Sequence, residues 1–131
     1  MPPRPDGAPG AQREFRPALA AVSREAGYRL VGVPLDEAEV RDFYLGFSNE
    51  VIWPLFHDLP SLCNFDPGYW RAYCEVNRKY AHAVRRRVVP GDFVWVHDYH
   101  LIPLGQQLRQ RGLKNRIGFF LHIPWPPQRL L

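Results

Sequence analysis

The chain has 131 residues, 46% of them apolar and 14% aromatic, with a net charge of +4. That length and apolar content suit one globular domain and exclude a low-complexity or collagen-like chain. There is no run of about 18 apolar residues, so no membrane span is expected. The positive excess sits in two runs, Arg85-Arg86-Arg87 and Arg109, Arg111, Lys114 and Arg116. Both suit solvated helix ends, where cations complement the helix dipole. Without a basic face carrying aromatic platforms, nucleic acid is not an expected partner. Cys63 and Cys74 make neither a C-x-x-C spacing nor a metal set. Cys74 is expected as a buried free thiol, which fits a reducing cytoplasm.

Met1 to Arg13 carries four prolines, two glycines and no large apolar residue, the composition of a disordered tail or linker. It has no apolar h-region of a signal peptide. A helix is expected over residues 14–26, with Phe15, Leu19 and Val22 on one face and Pro17 confined to its first turn. Tyr28 to Val33 reads as a strand. Asp36 is a suitable N-cap, and Val40, Phe43, Tyr44 and Phe47 then repeat at helical spacing. Pro54 breaks or kinks the aromatic segment that follows, and Asp58 to Pro67 is a loop. From Pro67 to Val88, the stripe Trp70, Cys74, Asn77, Ala81, Val84 and Val88 opposes Arg71, Glu75, Arg78, His82 and Arg85, as in a helix covering a sheet. Asn77 interrupts that stripe and must hydrogen-bond if buried, either bracing a loop or facing the site.

Asp92 to Pro126 organises the rest. Phe93 to Val96 is a short apolar run, expected as a strand buried on both faces. Leu101, Leu104 and Leu108 share a helical face that Gly112 terminates. Arg116 to Leu121 is a second strand. The separation of about 20 residues suits a helical crossover and not a hairpin, so the strands are parallel. Asp98 then lies just past the first strand and His122 just past the second, at the carboxyl edge where open α/β sheets bind ligands.

Each candidate has a structural alternative. Asp98 can cap the helix that begins near Leu101, and one carboxylate can serve as both cap and site group. His122 alone would read as a histidine packed under the Ile123-Pro124 turn; the pairing with Asp98 favours a site role. His97, Asp98 and His100 could bind zinc or iron, but consecutive residues at a strand end point apart, so no metal is expected. Tyr44, Trp53, Phe56 and His57 form an aromatic cluster. Core packing explains most such clusters, yet Tyr44 and Trp53 carry the polar handles that a sugar pocket uses.

Four motifs occur together: Phe43–Asp58 (F-Y-L-G-F-S-N-E-V-I-W-P-L-F-H-D), Val76-Asn77, Trp95–Pro103 (W-V-H-D-Y-H-L-I-P) and Gly118–Pro126 (G-F-F-L-H-I-P-W-P). In this order they resemble the UDP-forming trehalose-6-phosphate synthases of retaining glycosyltransferase family 20, over Tyr28 to Pro126. The resemblance implies an α/β fold, a Rossmann-like parallel sheet with flanking helices. It would be part of the N-terminal domain of a two-domain GT-B enzyme. It implies transfer of glucose from UDP-glucose to glucose 6-phosphate with retention, without metal or cofactor. Tyr44 and Trp53 would belong to the glucose-6-phosphate pocket, Asp98 would contact the acceptor near the reacting hydroxyl, and His122 would lie beside the donor glucose. In the family's usual account the leaving phosphate takes the acceptor proton, so Asp98 and His122 position and polarise.

Residues 14–131 would thus be a partial acceptor-side domain. Nothing in Met1–Ala26 matches the family's opening strand and its glycine-containing loop, which carries an arginine for the acceptor phosphate. The nucleotide-sugar domain is absent from the 131 residues. The isolated chain is expected not to turn over, because phosphate recognition without those basic groups is weak. A related synthase with another acceptor, such as glucosylglycerol phosphate synthesis uses, and a non-catalytic sugar-phosphate-binding remnant are the alternatives. The oligomeric state is left open, with a homo-oligomer among the options for a complete enzyme.

Overall fold

The computed structural model of the chain describes residues 9–131. The chain divides into two compact units, one ending at Asp36 and the other spanning Glu37–Leu131. The first contains α1 (Pro9–Ala26). Of the expected disordered tail, residues 1–8 lie outside the described residues, whereas 9–13 open α1. The helix therefore starts five residues before the expected boundary, with Pro9 at the position where a missing N–H costs nothing. Pro17 falls inside α1 and not in its first turn. Its lost backbone bond is offset by neighbouring alanines, the strongest helix formers. Tyr28–Val33 forms no strand. A strand needs a laddered neighbour, and the Leu30 amide is instead taken by Ser23 Oγ at 2.8 Å.

In the second unit, α2 (Glu37–Glu39) runs into a π-helix (Val40–Ile52) and then α3 (Trp53–Phe56). The wide helix was not legible as such. Its signature is the buried set Phe43, Ser48 and Ile52, spaced five and four residues apart, and the Trp53 amide donates to the Ser48 carbonyl five residues back. π-Helices are rare, and most are single-turn bulges within α-helices, frequently at functional sites. Gly46 lets it pack on α4 (Pro67–Arg85), because a Cβ there would stand 2.8 Å from the Tyr69 ring. Asp66 Oδ1 caps α4 by accepting the Gly68 amide at 2.7 Å.

The buried stripe of α4 is Tyr73, Val76, Asn77 and Ala81, rotated from the expected one. Trp70 is half in solvent and packs its ring on Phe47 at 5.3 Å. Cys74 is a free thiol only partly buried, because it lies at the margin of that rotated stripe. Asn77 braces a loop: its Nδ2 donates to the Tyr73 and His100 carbonyls, each at 3.0 Å.

β1 (Phe93–His97) and β2 (Arg116–Phe120) pair in parallel, with His97 opposite Phe120, across α5 (Leu104–Gln110). Gly112, at φ +78°, supplies the left-handed residue that ends the crossover helix. One sheet face joins Val96 to Ala81, Leu104, Leu108 and Leu113 in a closed core. The strands are not buried on both faces as expected. Phe93, Trp95 and Phe120 remain 49–61% exposed, because α4 and α5 cover the other side. Phe93 lies across Gly118, where a Cβ would come within 2.8 Å of its ring. Among the described residues the sheet has these two strands, and no helix is long and apolar enough to cross a membrane.

Candidate functional site

Both strand ends open onto one edge. The β1 ladder is prolonged by the Asp98 amide, which donates to the Phe120 carbonyl at 2.8 Å. Asp98 there adopts φ 76° and ψ 168°. That region is essentially a glycine region, costing a side-chain-bearing residue on the order of 1–3 kcal/mol. Its carboxylate offsets the cost locally. Oδ1 accepts the Tyr99 amide at 2.9 Å and the His122 amide at 3.3 Å. Both bonds fall on one oxygen, Oδ1. Asp98 therefore caps the 3₁₀ turn Tyr99–Leu101 and not α5, which begins three residues later at Leu104.

The same bond brings His122 to Asp98 through its backbone. The His122 ring turns to the other side. It is exposed, not packed under the Ile123-Pro124 turn, and its Nε2 lies 2.9 Å from His97 Nδ1. The alternation at the strand end separates His97 from Asp98, as expected of consecutive residues. Among the described residues no three His, Cys, Asp or Glu side chains converge to hold a metal.

Tyr44 reaches this edge through His100. Their rings stack at 5.4 Å and 14°, and His100 in turn stacks on Tyr99 at 4.1 Å. Burial pushes the His100 imidazole below its ordinary pKa, against the opposing pull of the Asp98 charge. Burial foremost, then the charge of Asp98, raises the Tyr99 phenol. Tyr99 donates its hydroxyl to Asn49 Oδ1 at 3.0 Å, tying the Asp98 loop to the π-helix. A second tie comes from below. The buried Tyr73 hydroxyl donates to the Tyr99 carbonyl at 2.6 Å and accepts the Ile102 amide at 3.3 Å.

Trp53 is held apart from this chain of contacts. It is 42% exposed and stacks on His57 at 3.8 Å, while His57 Nδ1 donates to the Trp53 carbonyl at 2.6 Å. The segment after His122 folds back to the same helix: Trp125 meets Phe56 edge-on at 5.9 Å, and Arg129 pairs with Asp58. Thus contacts link Tyr44, Asp98 and His122 at one edge, whereas Trp53 stands outside that chain of contacts, on the helix where the returning segment docks. The braces Asn49, Tyr73, Tyr99 and His100, and the His97–His122 contact, escaped sequence reasoning. Only Asn77 gave a signal, as a polar residue within an apolar stripe.

The model of glycosyltransferase family 20 matches residues 7–130. The trehalose-6-phosphate synthase of Sinorhizobium fredii is 44% identical over 118 residues, 90% of this chain and 25% of that protein. An alpha,alpha-trehalose-phosphate synthase (UDP-forming) from Burkholderia xenovorans, solved in complex with glucose-6-phosphate, superposes with a TM-score of 0.69 at 44% identity, over 72% of this chain and 21% of that one. An Escherichia coli trehalose-6-phosphate protein bound with UDP-2-fluoro glucose gives 0.72 at 43%, over 73% and 21%. The chain spans 14–25% of the length of the curated relatives it matches. Nearly its whole length carries the match, and the fold agrees at an identity where the two are not independent accidents: the chain belongs to glycosyltransferase family 20.

Proposed function

We propose that this chain supplies part of the acceptor side of a retaining glucosyltransferase, which transfers glucose from UDP-glucose to glucose 6-phosphate and yields trehalose 6-phosphate and UDP. Residues 14–131 form part of the Rossmann-like N-terminal domain of a GT-B pair, and the nucleotide-sugar half comes from outside these 131 residues. The observation that carries the proposal is the bond from the His122 amide to the Asp98 carboxylate, which couples the carboxyl ends of the two strands. The glucose-6-phosphate complex of the Burkholderia relative and the UDP-2-fluoro glucose complex of the Escherichia coli relative support the two substrates.

The chemistry requires two sugars aligned while positive charge builds at the anomeric carbon and negative charge on the departing UDP. Asp98 Oδ2 accepts a hydrogen bond from the acceptor hydroxyl and orients it. His122 meets the donor glucose. Tyr44 and Trp53 give the acceptor flat apolar contact with a hydroxyl or indole donor at the rim. None of these groups needs to form a covalent bond to the sugar. Alignment alone contributes several kcal/mol, on the order of 7 or more in favourable cases.

The test is a chimera. Residues 28–126 replace the matching segment of the Sinorhizobium fredii synthase, and UDP release is followed with UDP-glucose and glucose 6-phosphate. Turnover is expected, with kcat lowered about 100-fold by D98N and by H122A, while Y44A and W53A chiefly raise KM for glucose 6-phosphate. The isolated chain is expected to form no trehalose 6-phosphate. A folded chimera that is inactive with glucose 6-phosphate, or active only with glycerol 3-phosphate, would overturn the proposal.

A further inference from the structure

We propose that His97 is a positioning residue, fixing the tautomer and ring orientation of His122 through a ring-to-ring hydrogen bond; this rests on the donor-side role of His122 given above. The parallel register sets the contact. His97 pairs with Phe120, and His122, two residues on, returns to the same side of the sheet. His97 Nδ1 and His122 Nε2 stand 2.9 Å apart, and the rings stack at 5.3 Å and 21°. Trp95 at 4.3 Å from His97 and Phe120 at 4.6 Å from His122 wall the pair, limiting rotation of either ring.

A neutral imidazole has one N–H donor and one bare acceptor nitrogen. Two ring nitrogens at hydrogen-bond distance can be bonded only if one carries the hydrogen and the other does not. The tautomers of the two rings are therefore complementary, and neither is free to choose alone. With Nε2 of His122 committed to His97, Nδ1 is the nitrogen left for a sugar hydroxyl, and its protonation follows from what His97 does. This is the same logic by which an outer hydrogen bond orients a histidine that binds a metal or substrate. Asp98 holds the His122 backbone and His97 holds its ring, so the two consecutive residues of β1 and its end fix one side chain from two directions.

The experiment is long-range ¹H–¹⁵N correlation NMR on the 131-residue chain with ¹⁵N-labelled histidine, which identifies the tautomer of each ring. In the wild-type chain, His97 and His122 should each show one dominant tautomer, with the hydrogen on only one of the two facing nitrogens. H97F keeps an aromatic ring beside Trp95 but removes the bond, and His122 should revert to the two-tautomer mixture of a free imidazole. A His122 signature unchanged in H97F, or facing nitrogens in the wild type that both carry or both lack the hydrogen, would overturn the proposal. The wild-type measurement stands even if H97F does not fold. Since no substrate is needed, an inactive chimera bears on the functional reading alone, and a failed tautomer lock bears on His97 alone.

Discussion

Replacing Tyr73 with phenylalanine isolates the brace beneath the site. The Tyr73 side chain is 1% exposed and its ring packs on Phe43 at 5.8 Å and Phe47 at 4.6 Å. Phenylalanine keeps those contacts, so the packing contribution cancels. What is lost is one oxygen that donates to the Tyr99 carbonyl at 2.6 Å and accepts the Ile102 amide at 3.3 Å. A net hydrogen bond contributes about 1 kcal/mol, and a buried partner left unsatisfied costs about 1–3 kcal/mol. The short bond belongs at the upper end and the long one at the lower, so Y73F should cost about 2–3 kcal/mol. Urea unfolding followed by tryptophan fluorescence reads this as a lower midpoint with unchanged slope. Asn77 holds the next carbonyl, that of His100, at 3.0 Å. Y73F and N77A should therefore be non-additive by about 0.5 kcal/mol or more. A Y73F midpoint within about 0.5 kcal/mol of wild type would refute the brace.

Two glycine substitutions and the titration of the partly buried His100 imidazole probe the packing further. G46A drives a Cβ to within 2.8–2.9 Å of the Tyr69 ring's near side and should lower stability by about 1–3 kcal/mol. G118A meets only the far end of the exposed Phe93 ring and should cost less; equal thermal shifts for the two would contradict this. His100 resists protonation in the folded chain because burial outweighs the Asp98 charge. Its contribution is fully present above the unfolded value of 6.5 and is lost as pH falls through the lower native value. The urea midpoint should thus drop as pH falls below about 6.5, and H100Q should flatten the drop; a slope as steep in H100Q as in wild type would assign it elsewhere.

The β1–α5–β2 unit was legible because its signals are local and agree: an apolar run, a 3.6-period leucine face, a stopping glycine, and a second apolar run. The strand ends followed, and with them Asp98 and His122 at one edge. Other features depend on what lies beside a segment. Tyr28–Val33 has the alternation of a strand but no ladder, and Leu30 bonds to a serine side chain. The α4 stripe was displaced because Tyr73, with its hydroxyl, is buried deeper than Trp70, and hydropathy ranks them the other way. The π-helix shares its apolar residues with an α-helical pattern over the first two turns. Only Ser48, a small polar residue buried at 0%, marks the change of period.

The least legible feature is the one that shapes the site. At Asp98 a residue type is placed where the backbone favours glycine, at φ 76°. Glycine would relieve the strain and remove the carboxylate; an ordinary cap would keep the carboxylate and demand an extended or helical backbone. The chain keeps both the strain and the charge. The left-handed turn sends the carboxylate toward the His122 amide and leaves the following Tyr99 and His100 to lie against Tyr44 and the π-helix. A strained conformer persists only where its surroundings over-determine it. Here the Phe120 carbonyl, the Tyr99 and His122 amides, and the Tyr73, Asn77 and Asn49 side chains together do so. That concentration of bonds holds one unfavourable residue in place, and the carboxylate that glycine would lack is itself part of it, tying the 3₁₀ turn to the end of β2.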